Sequence, residues 1–236
     1  MADRDDALPT PETPWTFAGD IAHHFDHHIS RSVPLYHQGH AMVVALANFF
    51  LPPNATAFEL GCSTGTLSAR LAKAYGDRPI ALVAMDKEPA MVEAAKAKTR
   101  DLSGVDIQQQ DILEADFAAA DLIIAYYTVQ FVHPSERGAL FERIFRGLKG
   151  GGGFILFEKV RAPDARFQDI ASALYTDFKL AQGFSEAEII AKSRSLQGIL
   201  EPHSSQKNLA LLTQAGFGDV MTVFKYACFE GFLAIK

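Results

Sequence analysis

Residues 57–76 read AFELGCSTGTLSARLAKAYG, and this stretch decides the fold. An apolar run reaches Glu59, then Gly61 and Gly65 punctuate a turn. Leu67, Leu71 and Tyr75 follow at helical spacing. The pattern is strand, glycine turn, helix. Gly61 lets a ligand approach the backbone, and Gly65 lets the helix pack closely. The open helix start offers unpaired N–H groups to a carboxylate or phosphate.

Outward from this unit the alternation continues. Strands are expected over 55–60, 79–86, 105–111, 120–128 and 150–160, and helices over 65–75, 88–100 and 135–148. The runs 79–86 and 120–128 are continuously apolar, which suits strands buried on both faces. Residues 150–153 are four glycines, expected as a turn before the fifth strand. Such alternation predicts an α/β, Rossmann-like fold with a mostly parallel sheet. The end of the chain, GDVMTVFKY then FEGFLAIK, predicts an antiparallel hairpin at the sheet edge. The expected organisation is a loose tail over 1–14, a helical lid over 15–50 and an α/β core over 51–163. A helical insertion over 164–207 covers the active site, and 208–236 supply the edge strands. Within the lid, Pro34 breaks a helix over 15–33, and a second helix runs over 40–50.

Composition narrows the function. The chain has 236 residues and a net charge of −6, opposite to the basic excess of a nucleic-acid binder. Two cysteines make no disulfide framework and point to a reducing compartment. No apolar run of about 18 residues suggests a membrane span, and the acidic start MADRDDALPTPETPW is not a signal peptide. A cytoplasmic protein acting on a small molecule is expected. HHFDHH at 23–28 places histidines four apart, but no Cys or H-E-x-x-H pattern joins them. The expectation is a lid helix and no metal.

In an open α/β sheet, ligands bind beyond the carboxyl ends of the strands. Glu59 closes the first strand. Asp86 closes the second, about 25 positions beyond Gly61, where an acid takes ribose hydroxyls. Asp111 and Ile112 close the third, an acceptor for an adenine amino group beside an apolar face. Tyr126, Tyr127 and Gln130 follow the fourth. The turn G-C-S-T-G lacks the second glycine of a dinucleotide fingerprint. A nucleoside bearing an amino-acid tail fits better than a diphosphate.

ELGCSTG resembles the first motif of class I S-adenosylmethionine (SAM) dependent methyltransferases. The resemblance is closest to the carboxy-S-adenosyl-L-methionine synthase family, carried by SRSVPLY (30–36), ELGCSTGTLS (59–68), MDKEPAMVE (85–93), TVQFVHPSER (128–137), DFKLAQGFSEAEI (177–189) and AGF (215–217). It implies a seven-stranded sheet, a homodimer, and SAM binding through Tyr36, Gly61, Cys62, Ser63, Asp86, Lys87, Asp111 and Ile112. The family reaction it implies makes carboxy-SAM from SAM and prephenate. Two positions depart from the family pattern. Tyr126 stands where the family has Asn, and Ser193 where it has the arginine that grips the added carboxylate, with Arg194 one step on. A buried carboxylate without a cation is costly. Aromatic faces instead stabilise a sulfonium by about 0.5–2 kcal/mol each.

The expected function is therefore SAM consumption by methyl transfer or other attack on the sulfonium carbons. Tyr126, Tyr127, Tyr175, Ser193 and Gln130 are the catalytic candidates. Cyclisation of SAM to azetidine-2-carboxylate and methylthioadenosine, the carboxy-SAM reaction, and non-catalytic SAM binding are the alternatives.

Overall fold

The computed structural model describes residues 21–236, so the tail at 1–14 and residues 15–20 of the lid lie outside the described residues. In chain order the elements are α1 (Ile21–Ser32), α2 (Tyr36–Ala47), β1 (Thr56–Leu60), α3 (Thr66–Ala74), β2 (Ala81–Asp86), α4 (Pro89–Thr99), β3 (Val105–Gln109) and β4 (Ala120–Tyr126). A 3-10 turn (Val129–Phe131), α5 (Pro134–Gly147), β5 (Leu148–Lys159), α6 (Ala165–Ala181), α7 (Glu186–Ser195), α8 (Ser205–Ala215), β6 (Asp219–Tyr226) and β7 (Phe229–Ile235) follow.

The seven strands form one sheet in the order β3-β2-β1-β4-β5-β7-β6. Strands β1 to β5 run parallel, and β7 lies antiparallel between β5 and β6. This is the expected mostly parallel sheet with its antiparallel edge hairpin. Side-chain alternation divides the core between two faces. Phe58, Leu60, Ile123, Ala125, Phe154 and Leu156 pack on one side with Leu140 and Phe141 of α5 and Leu212 of α8. Ala57, Leu122, Ile124, Ile155 and Phe157 pack on the other with Val43 of α2 and Leu67 and Leu71 of α3. Both faces of β4 are thus covered, which is why its sequence shows no polar alternation.

Two local expectations shift. The glycines at 150–153 belong to β5 rather than to a turn before it. Gly153 gives room for Phe50, whose ring a Cβ there would meet at 2.9 Å. Helix α2 starts at Tyr36, before the expected position, because Leu35 takes a left-handed backbone (φ 54) just after Pro34 and redirects the chain.

Candidate active site

The turn after β1 is built for close approach. Gly61 has φ 70, and a Cβ there would lie 2.4 Å from Cγ2 of Thr128. Thr128 Oγ1 donates to the Leu60 carbonyl at 2.8 Å, so the turns after β1 and β4 lock together. Ser63 is also left-handed (φ 50), and its N–H donates to Asp86 Oδ2 at 2.9 Å. The Glu88 N–H reaches Asp86 Oδ1 at 3.0 Å. Burial raises the Asp86 carboxyl above its usual range, while these two N–H groups work against that rise. A carboxylate has about four acceptor positions, so Asp86 keeps capacity for a diol. Asp111 Oδ1 accepts from the Leu113 N–H at 2.9 Å, and Ile112 beside it is buried.

These strand ends open into a cavity of about 420 Å³. Tyr36, Gly61, Ser63, Asp86, Lys87, Asp111, Ile112, Tyr126, Tyr127 and Gln130 all line it. Glu59 and Cys62 line a smaller cavity of about 20 Å³ that adjoins it at Tyr36, Gly61, Ser63 and Tyr126. Tyr175 and Ser193 line neither. The Tyr175 hydroxyl donates to the Ser32 carbonyl at 2.9 Å, and its ring meets Phe229 and the ammonium groups of Lys159 and Lys179. Ser193 is exposed on α7. The Gln130 side-chain oxygen accepts from the Lys159 N–H at 2.8 Å, so it braces the turn that presents Tyr127 and Phe131.

One wall is aromatic: Phe25, Tyr36, Tyr126, Tyr127 and Phe131. The Tyr126 hydroxyl donates to the Tyr36 carbonyl at 2.8 Å, and its ring centroid is 4.7 Å from that of Tyr127 and 4.9 Å from Phe157. Tyr127 has φ 60, rare for a bulky residue, and such strain gathers at functional sites. Burial, the largest influence, raises the phenols of Tyr36, Tyr126 and Tyr127 far above the usual tyrosine range, so all three are neutral.

Helix α1 forms the roof through Phe25 and Ile29, joined by Val33 just beyond its end. Asp26 fastens it, accepting from Thr64 Oγ1 (2.6 Å), Thr66 Oγ1 (3.0 Å) and Lys98 Nζ (2.5 Å). Arg31 donates to the Gln182 carbonyl at 2.7 Å, tying the roof to the turn after α6. The HHFDHH segment thus contributes Phe25 to the cavity and Asp26 to the fastening.

Sequence reasoning missed Gly39, His40, Thr128 and Asp26. Only Gly39 left a signal: a glycine inside a helix costs about 1 kcal/mol against alanine, and here a Cβ would fall 2.1 Å from the Tyr126 hydroxyl oxygen.

Residues 57–152 match the methyltransferase domain family. The chain is 36% identical over 229 residues to a carboxy-S-adenosyl-L-methionine synthase of Campylobacter jejuni, covering 96% of both. It is 35% identical over 235 residues to the enzyme of the same name from Campylobacter fetus, covering 99% of this chain and 100% of that one. With the one from Staphylococcus epidermidis it shares 32% over 223 residues, covering 94% of this chain and 97% of that one. Among solved structures, human N-acetylserotonin methyltransferase in complex with SAM is similar with a TM-score of 0.61 and 21% identity, over 84% of this chain and 51% of that one. The apo SAM-dependent methyltransferase SibL gives 0.62 and 15%, over 85% and 55%. These two likenesses concern the fold alone.

Proposed function

The chain belongs to the carboxy-S-adenosyl-L-methionine synthase family, and from that premise we propose that it consumes SAM by attack on a sulfonium carbon, with SAM's own α-amine as the nucleophile. Family and domain make it a SAM-dependent enzyme. In the proposed step the amine nitrogen attacks the γ-carbon as the γ-carbon–sulfur bond breaks. The electron pair leaves with sulfur in methylthioadenosine, and the four-membered ring is azetidine-2-carboxylate. One proton is lost relative to the α-ammonium.

The observation that carries this reading is the aromatic wall with no arginine in the cavity lining among the described residues. Lys87 is the cation there, and it neighbours Asp86, the acid proposed for the ribose. A carboxylate added to the sulfonium methyl carbon would have no cation of its own, which disfavours a buried anion. Positive charge moving from sulfur to nitrogen would stay against aromatic faces. A cavity near the low end of the ~300–1,000 Å³ range of ligand sites suits one SAM better than SAM with a second substrate. The adenine would lie at Asp111 and Ile112, the ribose at Asp86, and the amino-acid tail at the turn around Ser63. The roof helix, fastened at Asp26, would exclude water and keep the tail folded.

The relatives' name supports a second reading, carboxy-SAM formation. Methyl transfer to an outside acceptor is the third. Incubation with SAM alone separates them. Equal amounts of methylthioadenosine and azetidine-2-carboxylate are the expected products. Carboxy-SAM appearing only with prephenate would replace this reading with the second, and S-adenosylhomocysteine appearing only with an acceptor would replace it with the third. We also propose a homodimer, supported by Phe167, Ile170 and Leu174 exposed along α6, and a reducing, cytoplasmic setting, supported by free, buried Cys62 and Cys228.

A further inference from the structure

The smaller cavity has a chemistry of its own. Tyr36, His40, Glu59, Thr64, Thr66 and Tyr126 are among its walls, and its volume of about 20 Å³ admits one water. His40 is 1% exposed, its ring held between Tyr36 (4.4 Å between centroids) and Tyr126 (4.6 Å). Its Nδ1 is buried with no hydrogen-bond partner. A buried polar atom left unmatched is costly, so its persistence calls for a ligand or water. Glu59 is 2% exposed, and its Oε2 accepts from Ser68 Oγ at 2.5 Å. Its other oxygen has no protein partner among the described residues.

We infer that this cavity is the proton outlet for the α-ammonium of bound SAM: a water held by His40 passes the proton to Glu59, the general base of ring closure, with His40 as a positioning residue. The inference rests on the ring-closure reading, because methyl transfer does not require the α-amine to lose a proton. The step balances. The ammonium gives one proton through the water to the Glu59 carboxylate, the freed lone pair attacks the γ-carbon, and the carbon–sulfur pair departs with methylthioadenosine.

The surrounding charges favour this assignment. Burial raises the Glu59 carboxyl to about 8, Ser68 opposes that rise, and Asp86 adds to it. The neighbouring Tyr36 phenol and Cys62 thiol are both pushed up by burial and stay neutral. Burial lowers His40 to about 3, with Arg70, His37 and Lys98 reinforcing the shift and Asp26 opposing it, so its ring is neutral and accepts or donates without charge. Without ligand Glu59 is therefore protonated at neutral pH. An arriving ammonium favours its carboxylate, so binding expels one proton and leaves the base ready. A base whose pKa lies near the working pH is the efficient kind.

The test uses S-adenosylhomocysteine, which carries the ammonium but no sulfonium, in calorimetry at pH 7 in two buffers of different ionisation heat. Wild-type protein should release close to one proton per site on binding. Glu59→Gln should release none while binding within about tenfold. Methylthioadenosine formation at saturating SAM should then fall about 100-fold in Glu59→Gln, in the range of a lost general base, and kcat/KM should lose its rise between pH 7 and 9. His40→Leu should lower kcat with little change in KM, and His40→Asn should recover part of it. An unchanged proton count or pH profile in Glu59→Gln overturns the inference. Wild-type protein that makes no methylthioadenosine removes ring closure and its base together, while the proton count still reports whether Glu59 faces the ammonium.

Discussion

The hydroxyl of Tyr126 occupies the place where a side chain on Gly39 would begin, 2.1 Å from an ideal Cβ. The hydrogen bond from that hydroxyl to the Tyr36 carbonyl fixes the centre of the aromatic wall. Gly39→Ala should therefore destabilise the protein, although alanine is the better helix former. Overpacking of this kind costs about 1–3 kcal/mol, measurable in urea. Tyr126→Phe added to Gly39→Ala should recover part of the loss, since the nearest remaining ring carbon is 3.1 Å away. Additive losses in the two variants would mean that the residues do not communicate.

Asp86 holds the loop at Ser63 and the start of α4 at once, through its two oxygens. Replacing it with Asn keeps the shape but loses charge-assisted bonds worth about 1.5–3 kcal/mol each. S-adenosylhomocysteine should bind roughly 10–100-fold more weakly to Asp86→Asn, as read by calorimetry. Adenosine should lose a similar factor, because the ribose is the group affected.

The fastening of the roof is ionic. Burial works to raise the Asp26 carboxyl, but the bonds from Lys98, Thr64 and Thr66 outweigh it and hold the group below its usual value. A depressed acid contributes stability above its unfolded pKa and loses it as pH falls through the folded value. Closure over the cavity should thus weaken below about pH 4. The pair is partly exposed, so it is worth about 0–1 kcal/mol. Asp26→Asn should accordingly raise the dissociation rate of S-adenosylhomocysteine a few-fold at neutral pH, by stopped-flow fluorescence.

Glu59 has the opposite sign. Its raised pKa of about 8 means that its contribution to stability is full below the unfolded value near 4.5 and is lost as pH rises through 8. Glu158, buried and also raised to about 8, acts in the same direction. Ligand-free protein should lose thermal stability between pH 5 and 9, and Glu59→Gln should lose less. A parallel decline in the wild type and the variant would show that Glu59 is not held protonated.

The sheet was legible because buried parallel strands write themselves as apolar runs, as in LIIA of β4, and because glycine must stand at Gly61. That Asp86, Asp111 and Ile112 line one cavity was readable because strand ends in this architecture share one edge. The fastening was not, since Asp26 meets Thr64 across 38 residues and Lys98 across 72. Nor did sequence spacing separate Tyr126, which lines the cavity, from Tyr175, which anchors α6 to Ser32. Both are tyrosines among apolar neighbours, and only packing tells them apart. The glycines of β5 were misread because a run of four looks like a turn, whereas here Gly151 and Gly152 bond with the chain end at Lys236.

A crystal structure with S-adenosylhomocysteine tests the central claim most directly. The adenosine should lie between Asp86 and Ile112, with sulfur against Tyr126 and a folded tail whose amine stands behind the γ-carbon, in line with its bond to sulfur. A tail stretched away from the aromatic wall, with its γ-carbon turned from the amine, would contradict it.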